Sequence, residues 1–102
     1  MSMSLSELLE AAGAVRVLGG PVPPERLGIA WVGGDSRTSE PGELFISRAP
    51  DVDAAVAHAI DAAARGAAAV LVPPLPPELA ARLAAEATSA VRLEADVPTE
   101  AG

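Results

Sequence analysis

Leu5, Leu8, Leu9 and Ala12 recur at helical spacing. The preceding Ser4-Leu5-Ser6-Glu7 has the form of a capping box, in which a serine hydroxyl and a glutamate carboxylate satisfy free N–H groups at a helix start. Gly13 can close that helix in the left-handed conformation. The pattern then shortens. Val15 to Leu18 reads as a brief strand ended by Gly19-Gly20 and the proline-rich loop Pro21 to Pro24. Leu27 to Val32 and Leu44 to Ser47 read as two further strands, each apolar and bounded by turn residues. Before the latter, Pro41-Gly42 supplies the two central residues of a type II turn, because proline fixes the first φ and glycine accepts a positive second one.

From Val52 the apolar positions Val52, Ala55, Val56, Ala59, Ile60 and Ala63 form one helical face, and Gly66 supplies the stop. Ala67 to Val72 is a continuous apolar run of strand length, as expected for a strand buried on both faces of a parallel sheet. Leu44 to Val72 is thus a βαβ unit. Pro73-Pro74-Leu75-Pro76-Pro77 is a stiff connector whose last proline can open a helix carrying Leu79, Leu83, Ala84 and Ala87 to near Thr88. Val91 to Leu93 predicts the last strand. The expected fold class is α/β: a small sheet of about four to five strands with a βαβ unit and flanking helices. One domain is expected over residues 1–95, with an acidic tail or linker over 96–102.

Composition narrows this picture. Much of the apolar content is alanine, and the only aromatics are Trp31 and Phe45, so the core must be built from Leu, Val, Ile and Ala in close contact. The net charge of -7, with arginines scattered along the chain, argues against nucleic acid as a partner. No apolar run reaches bilayer length, and residues 1–6 lack the charged start and apolar stretch of a signal peptide. The expected location is therefore cytoplasmic, without membrane contact. Lack of cysteine excludes thiolate and disulfide chemistry.

The inventory for catalysis is thin: one histidine, no lysine, and no glycine-rich loop ending in Gly-Lys-Ser or Gly-Lys-Thr to hold the β- and γ-phosphates of ATP. No catalytic residue, metal or cofactor is assigned. His58 reads either as a partly exposed helix histidine near Asp61 or as a general base or ligand. Asp51 and Asp53 read as helix-start carboxylates that cap free N–H groups and complement the macrodipole, or as a carboxylate pair. A free-standing hydrolase built from Asp51, Asp53 and His58 lacks a completed constellation. Asp35-Ser36-Arg37 joins three different chemistries in a loop between strands. The serine can donate to and accept from a base or sugar, and the arginine can hold a diphosphate or lock a carboxylate. The other reading is an Asx-type turn with an Asp35–Arg37 surface pair.

The order Gly28-Ile29, Asp35-Ser36-Arg37, Pro41-Gly42-Glu43-Leu44-Phe45-Ile46 and Arg65 to Val72 resembles the N-terminal domain of the Mur ligases of peptidoglycan synthesis. Leu5-Ser6-Glu7-Leu8-Leu9 is similar to the start of the type that adds the third amino acid of the stem peptide, the UDP-MurNAc-tripeptide synthetases. The resemblance covers about Ser4 to Val72. It implies a domain that holds the UDP part of a UDP-N-acetylmuramoyl peptide, with the ATPase and amino-acid domains of the ligase missing here and supplied in cis or in trans. By position it implies Ser36 at the uridine end with Gly34 just before it, Arg37 bracing the loop, and Asp51, Val52 and Asp53 closing over the nucleotide. Where the family carries a glycine, then Asp-Gly-His, then an aromatic residue, this chain holds Pro50, Ala54-Ala55-Val56 and His58, so the binding expected is weak. The alternative is a stand-alone interaction module that keeps the fold and has lost the nucleotide.

Without an element for the terminal phosphates, the purified 102-residue chain should hydrolyse no ATP and ligate no peptide, whatever substrate is supplied. Reproducible ATP turnover that co-purifies with the chain would show that this reading of its parts is wrong.

Overall fold

The computed structural model describes residues 3–4 and 15–95. The helix expected after Ser4 and the tail 96–102 lie outside the described residues. Seven strands are described: β1 (Met3–Ser4), β2 (Arg16–Gly19), β3 (Gly28–Ile29), β4 (Trp31–Gly33), β5 (Glu43–Ile46), β6 (Ala69–Val72) and β7 (Val91–Glu94). Two α-helices, α1 (Val52–Ala64) and α2 (Pro77–Glu86), and two 3-10 turns, Pro24–Arg26 and Ser36–Thr38, complete the described elements. The main sheet has the order β2-β7-β6-β5-β4. Its last four strands are mutually parallel, whereas β2 lies antiparallel on β7 with an irregularity between Val17 and Gly19. The architecture is α/β with a mixed five-stranded sheet, and the β5-α1-β6 unit lies where the periodicity predicts it.

The two faces of the sheet are filled differently. Alternation along β5, β6 and β7 sends Phe45, Val70 and Val72 to one side, where they meet Val56, Ala59, Ala62 and Ala63 of α1 and Leu83 of α2. Most of the contact surface of α1 is alanine, so its backbone lies close to the sheet. The opposite face carries Leu44, Ala69, Val91 and Leu93 and is covered in part by Ile29, Leu27 and Val15. Ile46 and Leu71 remain half-buried there. Among the described residues, no helix is long and apolar enough to cross a membrane.

Local signals set most boundaries. Asp51 caps α1 by accepting the Ala54 N–H at 2.8 Å. At the other end the Ala67 N–H reaches the Ala62 carbonyl (3.0 Å) and the Gly66 N–H the Ala63 carbonyl (3.1 Å), which is a Schellman closure with Gly66 at φ +104°. Pro77 occupies the first turn of α2, and that helix ends at Glu86, two residues before the expected stop. The Glu43 N–H bonds the Glu40 carbonyl at 3.2 Å and Gly42 has φ +89°, the geometry of the expected type II turn.

One expected element divides. The run Leu27 to Val32 is two strands in two sheets: β3 pairs antiparallel with β1, and β4 pairs parallel with β5. Between them the Ala30 N–H donates to the Gly42 carbonyl at 2.8 Å, so the turn before β5 takes the donor that a continuous strand would have used. Apolar residues serve both pieces equally well, which is why the sequence reads as one strand. Trp31 and Val32 consequently lie on an edge, 44% and 53% exposed, and Phe45 at 1% is the aromatic of the core.

Val70 is fully buried on β6, the middle strand, facing the helices, whereas its neighbour Leu71 is only half-buried. Val70→Asp should therefore abolish folding, since an unpaired carboxylate there costs several kcal/mol, on the order of the whole stability of such a domain. Far-UV circular dichroism checks this; a variant that is folded and melts cooperatively would contradict the assigned core.

Candidate functional site

Beyond the carboxyl ends of β4 and β5 the chain leaves a cleft of about 610 Å³. Three segments form it. The β4–β5 crossover contributes Gly34, Asp35, Ser36 and Arg37, the β5–α1 connection contributes Arg48, Ala49 and Pro50, and the flank of α1 contributes His58 and Asp61. A volume of this size suits a small organic ligand. A second cleft of about 310 Å³, lined by Val32, Gly33, Gly34, Ile46 and Arg48, adjoins it. Gly34 and Arg48 belong to both.

The crossover is tied together by its own polar groups. Asp35 accepts the Arg37 N–H at 2.9 Å, which starts the 3-10 turn, and the Arg37 guanidinium returns to the same carboxylate as a fork, Nε to Oδ1 and Nη2 to Oδ2, both at 3.0 Å. Hydrogen bonds from Arg37, first its side chain and then its backbone, lower the Asp35 pKa from 3.8 to about 2. Arg65, at the end of α1, donates to the Arg37 carbonyl at 3.2 Å and to Asp61 at 3.1 Å. The loop is thus fastened to the helix, and Ser36 is held 7% exposed at the cleft wall. On the other side, the buried Ser47 hydroxyl donates to the Ala55 carbonyl at 3.0 Å and anchors the connection from which Arg48 projects.

These bonds decide the electrostatics. The two carboxylates that line the cleft, Asp35 and Asp61, are each paired with an arginine. Arg48 is exposed and makes no ion pair among the described residues. A strongly acidic chain therefore presents a cleft whose one unmatched formal charge, among its described lining residues, is positive. Among the described residues, no group of His, Cys, Asp and Glu is placed to hold a metal ion.

The expected site residues separate into two groups. Gly34, Ser36 and Arg37 line the larger cleft. Asp51, Val52 and Asp53 do not: the Asp51 carboxylate is committed to the start of α1, Val52 is half-buried, and Asp53 is exposed in the first turn. The residue that reaches the cleft from that side is Pro50. Of the two readings of Asp35-Ser36-Arg37, the structure shows the Asx-type turn with its Asp35–Arg37 ion pair, and Ser36 lies in that turn at the cleft wall. Arg48 carries no signal in its immediate sequence; the one available is its position just past the carboxyl end of a parallel strand, where α/β folds bind ligands. His58 lies on the exposed flank of α1 and also lines the cleft.

No protein-family model matches the chain, and no curated protein matches it in sequence.

The Asp35–Arg37 fork has a measurable consequence. A depressed carboxylate pKa contributes stability that is fully present above the unfolded value of 3.8 and is lost as pH falls through about 2. The carboxyl carbon of Asp35, followed by NMR, should titrate near 2 and move back toward 3.8 in Arg37→Ala. A wild-type midpoint near 3.8 would mean that the fork does not persist in solution.

Proposed function

We propose that this chain is a nucleotide-sugar-binding domain of the Mur ligase N-terminal type, which holds the UDP part of a UDP-N-acetylmuramoyl peptide. The observation that carries this reading is the meeting of Gly34 and Ser36 with Arg48 at a cleft beyond the carboxyl ends of two parallel strands, with both lining carboxylates already paired. The Ser36 hydroxyl supplies the donor and acceptor that a pyrimidine or ribose requires, and Arg37 braces the loop through Asp35. Asp51, Val52 and Asp53 lie outside the lining of this cleft. In this reading the chain positions a substrate, and phosphoryl transfer and amino-acid capture belong to the ATPase and amino-acid domains.

An NMR titration tests this. UDP should bind weakly and shift the resonances of Gly34, Ser36, Arg37 and His58. Ser36→Ala should weaken that binding by about 1 kcal/mol, roughly fivefold in Kd, without changing the fold. If millimolar UDP moves no resonance of the cleft, the chain is better read as an interaction module that keeps only the fold.

A further inference from the structure

The two clefts beyond β4 and β5 share Gly34 and Arg48, and that junction carries information of its own. Gly33 and Gly34 are adjacent yet answer to different demands. At Gly33 a Cβ would collide with the carboxylate of Glu43, which is 4% exposed and fills the space, so packing alone explains that glycine. At Gly34 a Cβ would meet nothing nearer than the Ile46 carbonyl oxygen at 3.9 Å, and the residue has no positive φ. Neither packing nor backbone conformation requires a glycine there. Gly34 lines both clefts, and a side chain there would meet open space.

Arg48 lines both clefts as well. Four other arginines are held by Glu94, Asp35, Asp61 and Glu86, and Arg92 donates to the Ala87 and Ala90 carbonyls at 3.0 and 3.4 Å. Arg48 is the described arginine on the cleft wall without an acceptor inside the protein. A guanidinium presents a planar fork of donors that matches a phosphate in two-point contact.

We infer that Arg48 is the anion-binding residue of a two-part ligand. Its phosphate or diphosphate link lies across Gly34, with a polar planar group in the larger cleft beside Ser36 and a sugar in the smaller cleft beside Val32 and Ile46. This rests on the nucleotide-sugar reading above and adds to it a direction of binding, a charged anchor and a role for the second cleft. The anchor accounts for how an acidic chain retains a doubly negative ligand.

Three probes of increasing length, titrated into the isotope-labelled full chain, separate the parts: uridine, UDP and UDP-N-acetylglucosamine. Uridine should shift Ser36 and His58 alone, UDP should add Arg48 and Gly34, and the sugar nucleotide should add Val32 and Ile46. Arg48→Ala should raise the Kd for UDP about tenfold or more while leaving uridine binding and the melting temperature unchanged, and Arg48→Lys should recover part of the loss. Gly34→Ala should fold normally and bind UDP more weakly. UDP binding that is equally tight in Arg48→Ala would overturn the inference and leave the nucleotide reading intact. So would a sugar nucleotide that perturbs no more residues than UDP does. If inorganic diphosphate shifts Arg48 while uridine and UDP leave Ser36 and His58 unmoved, the anion subsite stands and the nucleotide reading fails. If none of the four compounds shifts Arg48, the inference is wrong.

Discussion

The closeness of α1 to the sheet is the constraint on which the remaining geometry depends. Ala55, Ala59 and Ala62 are fully buried at the contact, and a larger side chain at any of them would push the helix outward and force off-rotamer packing. Because the helix sits low, Arg65 at its end can reach the carbonyl of Arg37, and Ser47 at the end of β5 can bond the carbonyl of Ala55. Both walls of the cleft are fastened to the same helix. Small residues in the core and polar residues in the loops thus belong to one arrangement: the first sets a distance, and the second depends on it.

What was legible in the sequence follows from where local chemistry determines structure. The 3.6-residue period of Val52 to Ala63, the glycine that ends it and the Pro41-Gly42 turn each specify their own conformation and are found in place, whereas the apolar run expected as a doubly buried strand from Ala67 is a strand only over Ala69–Val72, with Leu71 half-buried. Limits were reached where two segments compete for one partner. Nothing in Leu27 to Val32 reveals that Gly42 will claim the amide of Ala30, so the division of that run into two sheets was hidden. The cleft was half legible for a similar reason. Asp35, Ser36 and Arg37 announce a loop by their own turn chemistry, whereas Arg48 acquires meaning only when β4 and β5 lie side by side.

Charge placement makes the same point in electrostatic terms. An overall negative charge would ordinarily discourage an anionic ligand, yet the field at a site depends on the groups lining it and on whether they are already neutralised. Asp35 and Asp61 each face an arginine, and Asp51 is turned to helix N–H groups. The carboxylates that line the larger cleft, Asp35 and Asp61, are thereby occupied with holding the fold, whereas the buried Glu43 carboxylate beside Gly33 leaves its Oε2 without a partner.

The closure of α1 has a consequence for how such a sequence can drift. A Cβ on Gly66 would stand 3.3 Å from Cγ of Pro41, and a Cβ on Gly42 would stand 3.3 Å from Cβ of Ala30. A helix terminus, a turn and the bend between two sheets therefore lie close together, although they are far apart along the chain. Gly66 and Gly42 are each held to glycine by their positive φ, and the neighbouring Pro41 and Ala30 leave little room for a Cβ besides.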